Sequence, residues 1–260
     1  MHSLGTVNIY IFLISTMRNQ IVILAGGKGT RMGGSLPKVL VMLKNKPLIL
    51  YLLEEVEKVN QLIKPVVVVG YKAGMVKTVL GDDYTYAFQK EQLGTAHALM
   101  AAKRYVKGKN VLVLYGDHPF IKAKSLSSLI KLHHQKGGNI SMFTTTVPHF
   151  RGAYAPFESF ARIIRDTNKK ISRIVEYKDT STSQKKIKEV NPGMYMFNSV
   201  WLWKNLDKIK NQNAQGEYYL TDIIELAIKQ GEKIENILVD AKEVIGVNTT
   251  EDLKIAENLI

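Results

Sequence analysis

Short unbroken apolar runs alternate along the chain with stretches whose apolar residues recur every third or fourth position. The first kind predicts strands buried on both faces and the second predicts amphipathic helices. Ile21–Leu24 stops at Gly26-Gly27, as a buried strand entering a turn does. Pro47–Val59 carries Leu48, Leu52, Leu53, Val56 and Val59 at helical spacing. Pro65–Val69 is β-branched and ends at Gly70, which reads as a parallel strand. Ala73–Leu80 follows as a helix, Tyr84–Phe88 as a strand, and Thr95–Val106 as a helix. Val111–Tyr115 is a further strand, stopped by Gly116. Ser125–Gln135 is a helix with Leu126, Leu129, Ile130 and His133 on one stripe, and Ile140–Val147 is the next strand. This succession predicts an α/β fold with an open, mostly parallel sheet covered on both faces. Ligands of such sheets bind beyond the carboxyl ends of the strands, so the loops after Leu24, Phe88 and Tyr115 are where chemistry is expected.

From His149 to Asn198 the pattern changes. Ala161–Arg165 and Ile171–Glu176 read as short strands around the turn Asp166–Lys170, and Met194–Phe197 as another strand. Lys178–Lys188 is polar and loop-like. Residues 149–198 are expected to form a small antiparallel lid or subdomain beside the sheet. Thr221–Lys229 reads as a helix with Thr221 as N-cap and Asp222 at the positive end of the dipole. Lys254–Ile260 is expected to close the chain as a helix. At the other end, Val7–Ile14 is apolar but far short of the ~20 residues that span a bilayer. Met17 directly precedes the first strong strand, so residues 1–16 are expected to be a loosely held extension of a domain over 17–260. A cytoplasmic protein without membrane insertion is expected.

Composition narrows the chemistry. The 260 residues are 45% hydrophobic, enough for a real core in one or two domains. The absence of cysteine excludes disulfide scaffolds, thiolate metal sites and cysteine nucleophiles. Lys and Arg number 36 against 23 Asp and Glu, a net charge of +13 that suits polyanionic partners. No basic arm stands apart, and the densest cluster is Lys185, Lys186 and Lys188. Charge alone therefore does not separate nucleotide phosphates from nucleic acid or from a solvated surface.

The loop after the first strand reads Leu24-Ala25-Gly26-Gly27-Lys28-Gly29-Thr30-Arg31-Met32, followed by Leu36-Pro37-Lys38-Val39-Leu40. Its glycines let the backbone approach a ligand, and consecutive amides can cradle phosphate oxygens. Lys28, Arg31 and Lys38 supply the opposing charge. The segment matches neither the Walker A pattern nor the dinucleotide fingerprint. Asp117 follows an apolar strand and a glycine, where a carboxylate suits magnesium or a turn. His118, His133, His134 and His149 match no zinc spacing and read as structural or solvated.

Together these segments resemble the signature of sugar-phosphate nucleotidyltransferases, and closely the uridyltransferase domain of the bifunctional N-acetylglucosamine-1-phosphate uridyltransferases. Five further segments carry the resemblance in order: Gln89–His97, Tyr115–Asp117, Ile174–Asp179, Asn191–Gly193 and Gln215–Asp222, with Gly246-Val247-Asn248 closing the set. The resemblance spans Ile21 to Ile260. It implies a Rossmann-like, GT-A-type sheet and a reaction of UTP with a sugar 1-phosphate to give a UDP-sugar and pyrophosphate, with Mg2+ as cofactor. N-acetylglucosamine 1-phosphate is the expected sugar, in the service of cell-envelope precursors. Another hexose 1-phosphate or a thymidine nucleotide is the alternative within the class. A catalytically silent nucleotide- or nucleic-acid-binding protein is the alternative outside it; nucleic acid is not the expected partner.

The resemblance also implies roles. Leu24, Ala25, Gly26 and Gly27 would hold the nucleotide, with Gln89 and Gly94 at the uracil edge and Thr95 beside them. Amide side chains suit that edge because they both donate and accept. Arg31 and Lys38 would be catalytic, offsetting charge on the triphosphate. Asp117 and Asn248 would hold the metal. Tyr115, Gly116, Ala161, Glu176 and Asn191 would line the sugar pocket, with Tyr218 and Tyr219 packing its wall. Phe160-Ala161-Arg162-Ile163 stands where the family has Tyr-Gly-Arg-Ile, so a methyl is added and positive φ is restricted. The preceding segment Pro148–Ser159 also differs. The C-terminal left-handed β-helix of the bifunctional enzymes is absent from this sequence, so acetyltransfer and trimerisation through it are not expected.

Overall fold

The computed structural model describes residues 19–60 and 62–260. The expected extension over residues 1–16 and the start at Met17 lie outside them. In chain order the elements are β1 (Asn19–Ala25), the short pair β2 (Met42–Leu43) and β3 (Lys46–Pro47), and α1 (Leu48–Glu57). Then come β4 (Leu62–Val69), α2 (Ala73–Leu80), β5 (Thr85–Phe88), α3 (Thr95–Ala102), β6 (Asn110–Tyr115), α4 (Ala123–Lys136) and β7 (Ile140–Thr146). β8 (Ala161–Arg165), β9 (Ile171–Val175), β10 (Glu189–Asn191) and β11 (Tyr195–Asn198) follow. The chain closes with α5 (Ser199–Leu206), α6 (Asp222–Lys229), β12 (Ile234–Leu238) and α7 (Thr250–Glu257).

One mixed sheet runs β5-β4-β1-β6-β11-β7-β10-β8-β9, with β12 added beside β7. The half from β5 to β6 is parallel: Ile23 of β1 faces Val67 on one side and Leu114 on the other. β11 then runs antiparallel between β6 and β7, and β10, β8 and β9 extend the sheet antiparallel. Of residues 149–198, the last strand thus lies inside the main sheet, while the other three form its outer extension.

The two faces of the sheet explain the apolar runs. Ile21, Ile23, Val67, Val69, Leu112 and Leu114 point to one side, against Leu52 and Val56 of α1, Val76 of α2 and Leu126 and Leu129 of α4. Val22, Val66, Val68, Val111 and Val113 point to the other, against Leu99 of α3, Leu202 and Leu206 of α5 and Ile223 and Ile224 of α6. Each such side chain, fully buried, contributes roughly 1.5–3 kcal/mol. Of the two polar residues that open β1, Asn19 accepts from Asn110 but leaves its buried Nδ2 without a partner, whereas Gln20 is satisfied at both ends. Gln20 Oε1 accepts from the amides of Lys107 and Gly108, and its Nε2 donates to the Lys64 carbonyl.

Several boundaries differ from the sequence reading for local reasons. The predicted helix over Thr95–Val106 ends at Ala102 and tightens into a 3-10 turn over Lys103–Tyr105. The last helix starts earlier than Lys254, because Thr249 and Asp252 form a reciprocal capping box. Thr221 is not a capping side chain: its hydroxyl makes no bond to the helix and donates instead to Glu176 Oε1 at 2.8 Å. β10, α5 and β12 had no counterpart in the sequence reading.

One clamp joins distant segments beside the sheet. Tyr218 N donates to Leu93 O at 2.8 Å and Tyr218 O accepts from Ala96 N at 2.9 Å. Gly94 lies between, at φ +110°, and a Cβ there would sit 2.6 Å from Tyr218 O. Both the backbone conformation and the space demand glycine. Gly94→Ala is therefore expected to lower stability by about 1–3 kcal/mol. The check is the urea midpoint, which should fall at unchanged slope; an unmoved midpoint would show that the clamp yields freely.

Candidate active site

A cavity of about 840 Å³ opens at the carboxyl ends of the parallel strands. The loops after β1, β5 and β6 all reach it, as the sequence reading expected. Of the residues singled out for a role, Gly116, Lys28 and Tyr218 do not line it and the rest do. Gly116 is buried behind the cavity, its amide donating to Leu24 O at 3.0 Å, so it is not positioned as a sugar contact. The strand ends at Tyr115 and the chain turns there, His118 N donating to Tyr115 O at 3.2 Å, so that Tyr115, Asp117 and His118 line the cavity while Gly116 packs against Leu24. Lys28 is exposed and lines no part of the cavity.

The Gly loop turns back on itself. Gly27 O accepts from Lys38 N at 3.3 Å, and the short turn Lys38–Leu40 is anchored by the buried Val39 and Leu40. That directs the Lys38 ammonium at Asp117, with which it forms a tight ion pair, and at Asn248 Oδ1, 3.0 Å away. Arg31 Nη2 reaches the same Asn248 oxygen at 3.4 Å. Asn248 is held from behind: its amide and that of Thr249 donate to Asp252 Oδ2, part of the capping box that opens α7. Val247 N also donates to Asp117 O at 3.0 Å, tying the C-terminal segment to the end of β6. Three stretches remote in sequence thus converge on one point.

Asp117 is only 4% exposed. Burial pushes its carboxyl up, but the Lys38 charge and the adjacent His118 outweigh burial and hold it well below the usual carboxylate range. Its oxygen and that of Asn248 are hard donors that converge on one positive charge, the chemistry a magnesium ion requires. Among the described residues no group of three or more His, Cys, Asp or Glu has a metal-holding arrangement. Two protein oxygens suit magnesium, which takes its other ligands from phosphates and water.

The far end of the cavity is built from hydroxyls, amides and carboxylates. Asn191 Oδ1 accepts from Gly193 N at 2.9 Å and its Nδ2 donates to the buried Tyr195 hydroxyl at 2.5 Å. Glu176 accepts from Thr221. Burial, with Asp179 and Glu217 nearby, raises the Glu176 carboxyl against that hydrogen bond. Tyr115 is raised chiefly by burial, then by Glu176. Tyr195 was not singled out in sequence, and Thr221 only as a helix cap; the Asn191–Gly193 and Gln215–Asp222 motifs were the available signals. Ala161 is buried in β8, paired with Asn191 in the ladder. It is not among the positive-φ residues, so alanine costs no backbone strain there. Tyr219 lines this end of the cavity.

The histidines divide. His133 is buried on α4, with Nδ1 3.0 Å from Ser141 Oγ and Nε2 3.3 Å from Asn110 Oδ1, and burial lowers it to about 4. It is structural. His118 is neither solvated nor remote: it is 6% exposed and lines the cavity, its Nδ1 3.4 Å from Asp117 Oδ1.

With this geometry in view, the comparisons with known proteins fall into line. Residues 20–243 match the model of the nucleotidyl transferase family, and the chain belongs to that family. It is 39% identical over 239 residues to the bifunctional protein GlmU of Brevibacillus brevis, covering 91% of this chain and 50% of that one. It is 42% identical over 229 residues to the same-named protein of Carboxydothermus hydrogenoformans, covering 87% and 49%. The chain therefore spans about half the length of these relatives. In fold it is similar to a UDP-glucose pyrophosphorylase complexed with UDP-glucose, at a TM-score of 0.74 and 17% identity, covering 94% and 98% of the two chains. It is also similar to a putative glucose-1-phosphate thymidylyltransferase from Bacillus anthracis, at 0.73 and 21%, covering 93% and 94%. No described helix is long and apolar enough to cross a membrane.

One carboxylate has a direct consequence for stability. Asp222, at the start of α6, is raised to about 6, first by burial and then by Glu176, Glu225 and Asp179. A carboxyl raised above its unfolded value binds its proton more tightly in the folded state. This group therefore favours folding below about pH 4 and loses that contribution as pH rises through about 6. Asp222→Asn is expected to flatten the fall in stability between pH 4 and pH 7. Denaturation midpoints at both values check it; an unchanged slope would remove Asp222 as its source.

Proposed function

We propose that the chain is a UTP:sugar-1-phosphate uridylyltransferase, with N-acetylglucosamine 1-phosphate as the sugar substrate and Mg2+ as cofactor. The observation that carries this is the convergence of Arg31, Lys38, Asp117 and Asn248 at one end of a cavity whose other walls are a glycine loop and a set of hydroxyl-binding groups. The family supports the class of reaction. UTP and sugar phosphates are cytoplasmic metabolites, so the reaction belongs there.

A sugar-phosphate oxygen attacks the α-phosphorus of UTP, a new P–O bond forms, and the α–β bridging bond breaks to release pyrophosphate. The nucleophile is already ionised, so no side chain need remove a proton. What the reaction needs is positioning and charge compensation, because both reactants are anions. Arg31 offers a planar fork for phosphate oxygens and Lys38 a point charge. In the free protein both are engaged by Asn248, and Lys38 also by Asp117. Asp117 and Asn248 would hold magnesium, which supplies charge stabilisation and alignment of the phosphates. Gly26 and Gly27 let the nucleotide approach the backbone, with Gln89, Gly94 and Thr95 around the base. Tyr115, Glu176, Asn191 and the backbone of Ala161 face the sugar.

The test is pyrophosphate release across a panel of sugar 1-phosphates and nucleoside triphosphates with magnesium. UTP with N-acetylglucosamine 1-phosphate should turn over fastest, and chelation should stop it. Failure of every pair would end the enzymatic reading; a faster thymidine or glucose pair would redirect it. Asp117→Ala should cut turnover by at least about a hundredfold while the folded circular dichroism spectrum is kept. Near-normal rates in that variant would remove Asp117 from the chemistry.

A further inference from the structure

We infer that His97 is a positioning residue that fixes which end of the Gln89 amide a nucleotide base meets, and thereby favours bases with a ring N–H, uracil or thymine, over cytosine. This rests on the reading that the cavity takes a pyrimidine nucleotide. Gln89 is 4% exposed and follows β5, its backbone amide bonded to Val69 O. Its Nε2 lies 3.3 Å from Gly94 O and 3.2 Å from His97 Nδ1. A carbonyl only accepts, so Gly94 requires the nitrogen end of the amide. The second N–H of that nitrogen then meets His97 Nδ1, which must carry a lone pair, with the imidazole proton on Nε2. His97 is itself set by the first turn of α3 and by the ring of Tyr218, 6.4 Å away.

Both Gln89 donors are thus consumed inside the protein. The remaining end, Oε1, lies over Gly26, where a Cβ would sit only 2.8 Å from it. Gly26 and Gln89 both line the cavity. The amide that sequence alone reads as both donor and acceptor therefore presents an acceptor. Uracil and thymine offer N3–H to such an oxygen. Cytosine offers a lone pair at N3, which repels it. Without the His97 acceptor, one N–H of Gln89 is unmatched and only the 3.3 Å bond to Gly94 O holds the nitrogen inward, so the amide turns its nitrogen to the base more readily.

The experiment compares kcat/KM for UTP and CTP in the wild type and in His97→Phe, His97→Leu and His97→Asn. Phenylalanine keeps a ring against Tyr218 and removes the acceptor; leucine removes both, and either variant carries the test if the other fails to fold. Asparagine returns an amide oxygen near the Nδ1 position. The UTP-over-CTP ratio should fall about tenfold in the Phe and Leu variants, through KM more than kcat, and recover in the Asn variant. If the wild type turns over no nucleotide, the uridylyltransferase reading fails separately. The same ratio is then read from calorimetric Kd values for free UTP and CTP. A wild type indifferent between the two nucleotides overturns the inference. So does equal loss on both in Phe and Leu, or an Asn variant no better than Leu.

Discussion

The pairing of the Lys38 ammonium with Asp117 is the constraint on which the site's architecture depends. A carboxylate as buried as Asp117 costs several kcal/mol if left unpaired. To bring Lys38 to it, the Gly loop must fold back far enough for Gly27 to accept from Lys38. To complete it, the segment before α7 must close over the end of β6, which Val247 and Asp252 enforce by hydrogen bonds. The ion pair therefore links three parts of the chain that share no local structure. It also keeps the carboxylate ionised through the physiological range, and an ionised oxygen is what a divalent cation requires. On the proposed function the same lysine is a stand-in: it balances Asp117 until an anionic substrate and its metal arrive together.

The parallel half of the sheet was legible because it is buried on both faces. Strands such as Ile21–Leu24 and Val111–Tyr115 then read as unbroken apolar runs, and the loops beyond them follow from topology. The antiparallel half was less so. β10 is three residues long and β12, Ile-Glu-Asn-Ile-Leu, is half polar and joins the sheet beside β7 only. The insertion of β11 between β6 and β7 is a long-range pairing that no local pattern encodes. Within the site, the motifs mark segments that the fold brings to one cavity, but not which of their atoms face it. Thr221 carries a hydroxyl suited equally to a helix N-terminus and to a carboxylate, and only the arrival of Glu176 decides between them. Gly116 belongs to the motif yet faces away. His118 carries no spacing signal, because its relation to the site is simply that it follows Asp117.

Arg162 shows how the wall beside Phe160 and Ala161 is held. Its side chain is fully buried, and its guanidinium donates to the carbonyls of Phe157, Glu158 and Phe160. It also lies 4.5 Å from the Phe150 ring centroid and 5.1 Å from that of Tyr177. Burial lowers its pKa, yet a guanidinium keeps its charge under any condition in which the protein folds. A planar, permanently charged donor thus serves three carbonyls of this turn, one of which, Phe157 O, also accepts from Phe160 N. The irregular segment Gly152–Ser159 is thereby fixed on the sheet directly ahead of Ala161.

The distribution of charge within the cavity matters more than the net charge of the protein. Arg31 and Lys38 stand at one end; Glu176 stands at the other, backed by Asp179, Glu217 and Asp222. A ligand with phosphates at one end and neutral hydroxyls at the other meets this field favourably in one orientation. Reversed, its phosphates would face a cluster of carboxylates, at roughly 4 kcal/mol for each close pair of unit charges near a protein surface. The carboxylates at the hydroxyl end then do two things with the same atoms. On the proposed function they would accept hydrogen bonds from a sugar and repel a triphosphate from the sugar's place. Burial first and this crowding second raise both Glu176 and Asp222, so the arrangement that orients such a ligand costs the folded protein stability.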